Sequence, residues 1–302
     1  MKLCCRPRQT GFYSNFDDDI PLETITLVDW EKMIVTEFRN LEKRYSIKPI
    51  CKTTLCTFLK DVYEHYDSNI PYHNQNHIFE VFQFGMCMLH RHRNLIRNAK
   101  RKDIMTFCFA LLLHDVGHLG YTNDQLESNC IELDVEYISD SSESSYASSY
   151  NEQIHCNIGI QLLQKNKLSF NNHLFNKLIF NTDMKHHDSF ILKYNPFYGN
   201  QCEDTEHYNV FKFFIKLADI GHIIRPWEVH LNNVIRLNKE RVCPLSTSEL
   251  ATDTLFFNKR YVLPLIHKMK DVNIGLYFKL NALYNDNMNR WICIESFFEN
   301  LK

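Results

Sequence analysis

Leu111-Leu112-Leu113-His114-Asp115-Val116-Gly117-His118 is an apolar run that ends abruptly in two metal-ligand residue types side by side. The run begins near residue 103 and is apolar on nearly every side, the pattern of a helix enclosed at the centre of a fold. Leaving an imidazole and a carboxylate at its buried end is costly unless something cationic compensates. A bound metal does so, because neutral imidazole and carboxylate oxygen are ligands for first-row and hard cations. A second cluster lies upstream at Tyr72-His73-Asn74-Gln75-Asn76-His77, and Asp219 follows the apolar stretch Phe213-Phe214-Ile215-Lys216-Leu217-Ala218. Three separated segments offering His, His-Asp and Asp point to one convergent metal site.

Outward from this core, helical periodicity dominates. Leu55, Phe58, Leu59, Val62, Tyr63 and Tyr66 recur at helical spacing, with Thr53 or Thr54 available as an N-cap. Ile78, Val81, Phe82, Gly85, Met86 and Leu89 form a similar stripe. Glycine and proline number only eight each, and alternating strand patterns are hard to find, so the chain reads as all-α. Residues 1–25 read as an irregular polar arm and 26–302 as one domain. Within it, residues 124–151 carry seven serines between 139 and 149 and read as an exposed loop.

A formal net charge of −2 gives no basic excess for a nucleic-acid polymer. No apolar run approaches the roughly 18 residues of a membrane span, and the polar N-terminus does not resemble a signal peptide. The eleven cysteines then read as reduced thiols and the chain as cytoplasmic.

By spacing alone, His73 and His77 share a helical face if a helix begins near Tyr72. His114 and His118 do likewise, with Asp115 about a third of a turn away. Asp115 is then placed to reach two ions where His114 reaches one. Two cations about 3.5–4 Å apart clamp a phosphoryl group and ionise a water between them.

At these residues the chain resembles the class I cyclic-nucleotide phosphodiesterases, whose catalytic domain carries Y-H-N-x-x-H, H-D-x-x-H-x-G-x-x-N, T-D-M and A-D-[IL] in that order. Here the motifs read Tyr72 to His77, His114 to Asn123, Thr182-Asp183-Met184 and Leu217-Ala218-Asp219-Ile220. Asp286-Asn287-Met288-Asn289-Arg290-Trp291 is similar to the family's D-N-R-x-W.

The resemblance implies a compact multi-helix fold of HD-domain type and hydrolysis of 3′,5′-cyclic nucleotides (cyclic AMP, cyclic GMP or both) to 5′-monophosphates. It assigns His77, His114, Asp115 and Asp219 to a first ion, zinc. Asp115 bridges to a second, magnesium or manganese, and a hydroxide between the ions attacks phosphorus. His73 matches the general acid that protonates the leaving oxygen. His118, Thr182 and Asp183 match residues that orient waters, and Glu152 matches the glutamate before the family's paired histidines, with Gln153-Ile154-His155 in place of N-H-H. Tyr72 and His222 match positions in the substrate pocket.

The departures are informative. Gly117 stands where many members have an acid, and Gly221-His222 replaces the common Ser-Asn. The family's purine clamp, Q-x-G-F ahead of P-L, aligns with Thr254-Leu255-Phe256-Phe257 ahead of Pro264-Leu265. Phe257 keeps the aromatic face, while Thr254 replaces the glutamine amide. Asn273-Ile274-Gly275-Leu276 is the alternative alignment, crowded against Trp291. Two other readings stand beside the phosphodiesterase: an HD-type phosphohydrolase of another phosphoester, and a catalytically weakened relative that acts as a binding protein.

Overall fold

Helix α4 (Arg101–Leu113) has no polar face, and every residue from Asp103 to Leu113 is buried, so other helices must enclose it. The computed structural model describes residues 25–128, 148–194 and 206–300. Among these residues the chain forms α-helices, short 3-10 segments and one π-helical turn, with no strand.

α3 (Gln75–Arg91) packs along α4, and α7 (Asn172–Phe180) lies against another side of it. α9 (Glu206–Ile220) packs on α3, with Phe211 stacked on Phe107 of α4 at 4.8 Å. α1 (Leu27–Tyr45) pairs with α2 (Lys52–Glu64), and Phe38 stacks on both Phe82 and Phe109. α6 (Tyr150–Lys165) joins the layer beside α7 and is preceded by the short α5 (Asn123–Ser128).

The short α8 (His187–Lys193) is followed, after α9, by α10 (Trp227–Glu240). α11 (Thr247–Phe257) and α12 (Leu263–Val272), linked by the π turn Asn258–Val262, both pack on the long α13 (Ile274–Glu299). Buried apolar side chains from α1 to α4, α6, α7 and α9 to α13 form one continuous cluster.

α3 is more deeply enclosed than its stripe predicts, being buried on almost every face. That requires close approach to α4, which Gly85 provides. A Cβ added there would lie 2.5 and 2.6 Å from the two methyls of Leu111, itself fully buried. Gly85→Ala is therefore expected to destabilise the fold by about 1–3 kcal/mol, measured as a lowered urea midpoint.

Three local readings need correction. Cys51, rather than Thr53 or Thr54, stands at the N-cap position of α2 and makes no side-chain capping bond there; its sulfur sits 3.1 Å from the Thr53 hydroxyl. Ile25 does not belong to a loose arm: it is buried, and its N–H donates to Asn76 Oδ1 at 2.8 Å. The stretch 124–151 is not loop at its edges, because residues 124–128 lie in α5 and 150–151 in α6. Leu126 is buried there, and Asn151 bonds Asn123 Oδ1 and the Tyr121 carbonyl, so these edges are built into the fold. Residues 129–147, and the arm up to residue 24, lie outside the described residues. No described helix is long and apolar enough to cross a membrane.

Candidate metal centre and its cavity

Asn74 caps α3 by accepting from the Asn76 N–H, so the helix starts at Gln75 and carries His77 in its first turn. α4 ends at Leu113, leaving His114 at its C-cap and Asp115 in the turn beyond. Asp219 is the penultimate residue of α9. Because α3 packs on both α4 and α9, these helix ends meet.

The ligand atoms of His77, His114, Asp115 and Asp219 all lie within 4.8 Å of one another. His77 Nε2 is 3.4 Å from Asp115 Oδ2 and 3.3 Å from Asp219 Oδ1. The corresponding distances from His114 Nε2 are 3.2 and 3.5 Å. His77 Nε2, His114 Nε2 and Asp115 Oδ2 are buried without a hydrogen-bond partner, which is costly for polar atoms unless a cation sits among them. Four ligands about 2.1 Å from a tetrahedral ion are about 3.4 Å apart, so the spacing and the N,O donor set fit a small divalent ion.

The electrostatics agree. Burial pushes the His114 imidazole down, yet Asp115 and Asp219 outweigh it and lift the group to about 10. Asp115 is held well below the ordinary carboxylate range, the charge of His114 overcoming burial. The site calls for positive charge.

The helical-face arithmetic does not survive for His73 and His118. Each lies outside the helix it was assigned to, because α3 starts after His73 and α4 stops before His118. The two rings instead stack on each other at 3.9 Å. Gly117 makes this turn, with φ of +75°, and a Cβ there would meet Ile158 Cδ1 at 2.4 Å, so any side chain would be strained in this conformation.

His73 is seated by α10. Its Nδ1 hydrogen-bonds Glu240 Oε1, while Glu240 Oε2 accepts the backbone N–H groups of Tyr72 and His73 at 2.8 and 3.0 Å. Arg236 adds bonds to the Pro71 carbonyl and Asn74 Oδ1. Burial raises the Glu240 carboxyl, but the bond and charge of His73 outweigh it and bring the group below its ordinary value.

His73, His118 and Glu240 also come within 4.8 Å of one another. They are poor metal ligands as a set. His118 Nδ1 accepts the Gly120 N–H at 2.9 Å, which leaves the ring proton on Nε2.

Thr182 and Asp183 sit on the other wall. The Thr182 hydroxyl donates to the Ile179 carbonyl, and Asp183 accepts from Ser149 Oγ at 2.6 Å and from the Lys185 N–H at 2.8 Å. Lys216 secures this corner: fully buried, its Nζ donates to the carbonyls of Asn181, Thr182 and Asp183. Burial brings its ammonium down to about 8, opposed by Asp219, Asp183 and Glu152. Glu152 accepts from Asn123 Nδ2 at 2.9 Å, and burial, aided by Asp183, raises it to about 7. His155 donates from Nδ1 to the Val116 carbonyl, which turns Nε2 toward Asp115 Oδ1, 3.8 Å away.

A cavity of about 730 Å³ opens over these groups, a size suited to a small-molecule ligand. Asp115, Asp219 and His73 lie at one end, and Tyr72, His222, Thr254 and Phe257 also line it. Asn273 and Gly275 do not line it; they start α13. Burial pushes the His222 imidazole down to about 4.

Tyr72, His73, Asp115, His118, Glu152, Thr182, Asp183, Asp219, His222, Thr254 and Phe257 line this cavity, and His77 and His114 lie buried beside Asp115 and Asp219. The structure adds Glu240 and Lys216, which the sequence reading missed. The lysine had a signal, being a lone cation inside the apolar run Phe213–Ala218; Glu240 had none.

Comparison with known proteins finds cyclic-nucleotide phosphodiesterases. The chain is 26% identical over 282 residues to the cGMP-specific 3′,5′-cyclic phosphodiesterase alpha of Plasmodium falciparum (isolate 3D7), covering 80% of this chain and 28% of that protein. It is 27% identical to the delta enzyme of the same organism, covering 86% and 31%. The chain therefore spans about three tenths of the length of these curated relatives. The crystal structure of the phosphodiesterase domain of a rhodopsin–phosphodiesterase fusion protein from the choanoflagellate Salpingoeca rosetta superposes with a TM-score of 0.81. It is 19% identical, covers 97% of this chain and 98% of that one, and shows the same fold. The sequence profile described as 3′5′-cyclic nucleotide phosphodiesterase matches residues 72–272, more than half of the chain, which therefore belongs to that family.

Proposed function

We propose that this chain hydrolyses 3′,5′-cyclic nucleotides to 5′-monophosphates. His77, His114, Asp115 and Asp219 would hold a first divalent ion, zinc, and Asp115 would reach a second, magnesium or manganese. The observation that carries this reading is the convergence of four ligand side chains, three of them with a buried polar atom that has no hydrogen-bond partner, beside a nucleotide-sized cavity. The chemistry such ions supply when bound is polarisation of phosphoryl oxygens and a lowered pKa for a water.

The chain's own residues do the rest. Hydrolysis adds a water oxygen to phosphorus and breaks the P–O3′ bond, and O3′ then needs a proton. With Nδ1 held by Glu240, His73 has Nε2 left as its proton-donating nitrogen. The position of Glu240, bonded to the ring and to two backbone amides, fixes where that proton sits. His118, Thr182, Asp183 and Glu152 line the same cavity and would order the surrounding waters. Phe257 and Tyr72 offer apolar faces to the base and sugar.

Glu240→Gln should lower kcat by about 10–100-fold, the range seen when the partner orienting a functional imidazole is lost. KM should change much less, and the comparison of the two constants checks it. The proposal as a whole is tested by metal analysis of purified protein and assay on cyclic AMP, cyclic GMP and a linear phosphodiester. Turnover of the linear ester alone would favour another HD-type phosphohydrolase. Nucleotide binding without turnover would favour a weakened relative that binds.

A further inference from the structure

Three aromatic rings behind the cavity form a chain of hydrogen bonds with only one possible proton arrangement. Trp291 Nε1 lies 2.7 Å from His230 Nε2, and His230 Nδ1 lies 2.8 Å from His222 Nδ1. An indole N–H can only donate, so His230 Nε2 must accept. A neutral His230 then carries its proton on Nδ1 and donates it to His222 Nδ1. That nitrogen is left bare, so His222 carries its proton on Nε2. His230 is fully buried and Trp291 nearly so, while the half-buried His222 lines the cavity and its Nε2 has no protein partner among the described residues.

We propose that His222 is a base-selecting residue, locked by Trp291 and His230 as a hydrogen-bond donor, and that it favours a 6-oxopurine such as that of cyclic GMP over the 6-aminopurine of cyclic AMP. This rests on the phosphodiesterase reading above. The physical reason is polarity. The Hoogsteen edge of a 6-oxopurine presents two acceptors, N7 and O6, whereas that of a 6-aminopurine presents one acceptor and an N–H group that opposes a fixed donor. Thr254, where the family has an amide, cannot make this choice, because a hydroxyl donates or accepts as required. Selection therefore falls to a group whose sense is fixed from behind.

The arrangement is read directly from 15N shifts of the two imidazoles in the wild-type protein. His222 Nε2 and His230 Nδ1 should be protonated, and the other two nitrogens bare. Slowly hydrolysed phosphorothioate analogues of cyclic GMP, cyclic IMP and cyclic AMP should bind with the two 6-oxopurines about tenfold tighter, the equivalent of one hydrogen bond. Cyclic IMP separates the 6-oxygen from the 2-amino group. Trp291→Phe removes the donor that sets the chain, so the ratio should fall toward one, and His230→Phe should act in the same direction. A proton on His222 Nδ1, an equal or stronger grip on cyclic AMP, or a ratio indifferent to both folded variants would overturn the proposal. Should the wild-type protein hydrolyse no cyclic nucleotide, the proposed function falls, yet the shifts and the binding ratio still decide this inference.

Discussion

Asp115→Asn is expected to abolish turnover, by at least about 10³-fold, and to lose bound metal. A factor of that size corresponds to about 4 kcal/mol of transition-state stabilisation. Asparagine keeps the shape of the side chain but removes the charge that two cations would share. Asp115 Oδ2 sits 3.2 Å from His114 Nε2 and 3.4 Å from His77 Nε2, and Asp219 is the other carboxylate of the ligand set. Metal analysis by mass spectrometry, with circular dichroism as a check on folding, reads the result. A folded Asp115→Asn protein that retains both its metal and its rate would remove this residue from the centre.

His73→Ala separates the proton from the metal. Its ring does not belong to the group of four, and its partner is Glu240, so metal content should stay near the wild-type value. The rate on a cyclic nucleotide should fall by about 10²–10⁴-fold, the usual worth of general acid catalysis. On an ester with an acidic leaving group, such as nitrophenolate, the loss should shrink, since that oxygen departs without a proton. A uniform loss on both kinds of ester would assign His73 to binding or folding instead.

The enclosed helix α4 was legible because its residues leave no polar face, and the meeting of His77, His114, Asp115 and Asp219 was legible because motif order restricts what the fold can bring together. Helix ends were harder. His73 and His118 appeared to share faces with His77 and His114, but Asn74 capping and the positive φ of Gly117 place them outside α3 and α4. Glu240 was invisible for a different reason: Lys239-Glu240-Arg241 looks like any solvated turn of helix, and its bond to His73 spans 167 positions. The pairing of Trp291 with His230, 61 positions apart, is likewise a product of tertiary packing. Nothing local in either segment announces it.

The enclosure of α4 has a consequence for hydrogen exchange. Amides in a helix surrounded on all sides meet solvent only when the whole protein opens, so their exchange reports the global equilibrium. An ion held by His114, at the end of that helix, would bind the native state alone. The slowest amides of α4 should therefore exchange more slowly by a factor of about one plus the ratio of free ion to its dissociation constant, and these backbone protons become a gauge of ion affinity that needs no substrate.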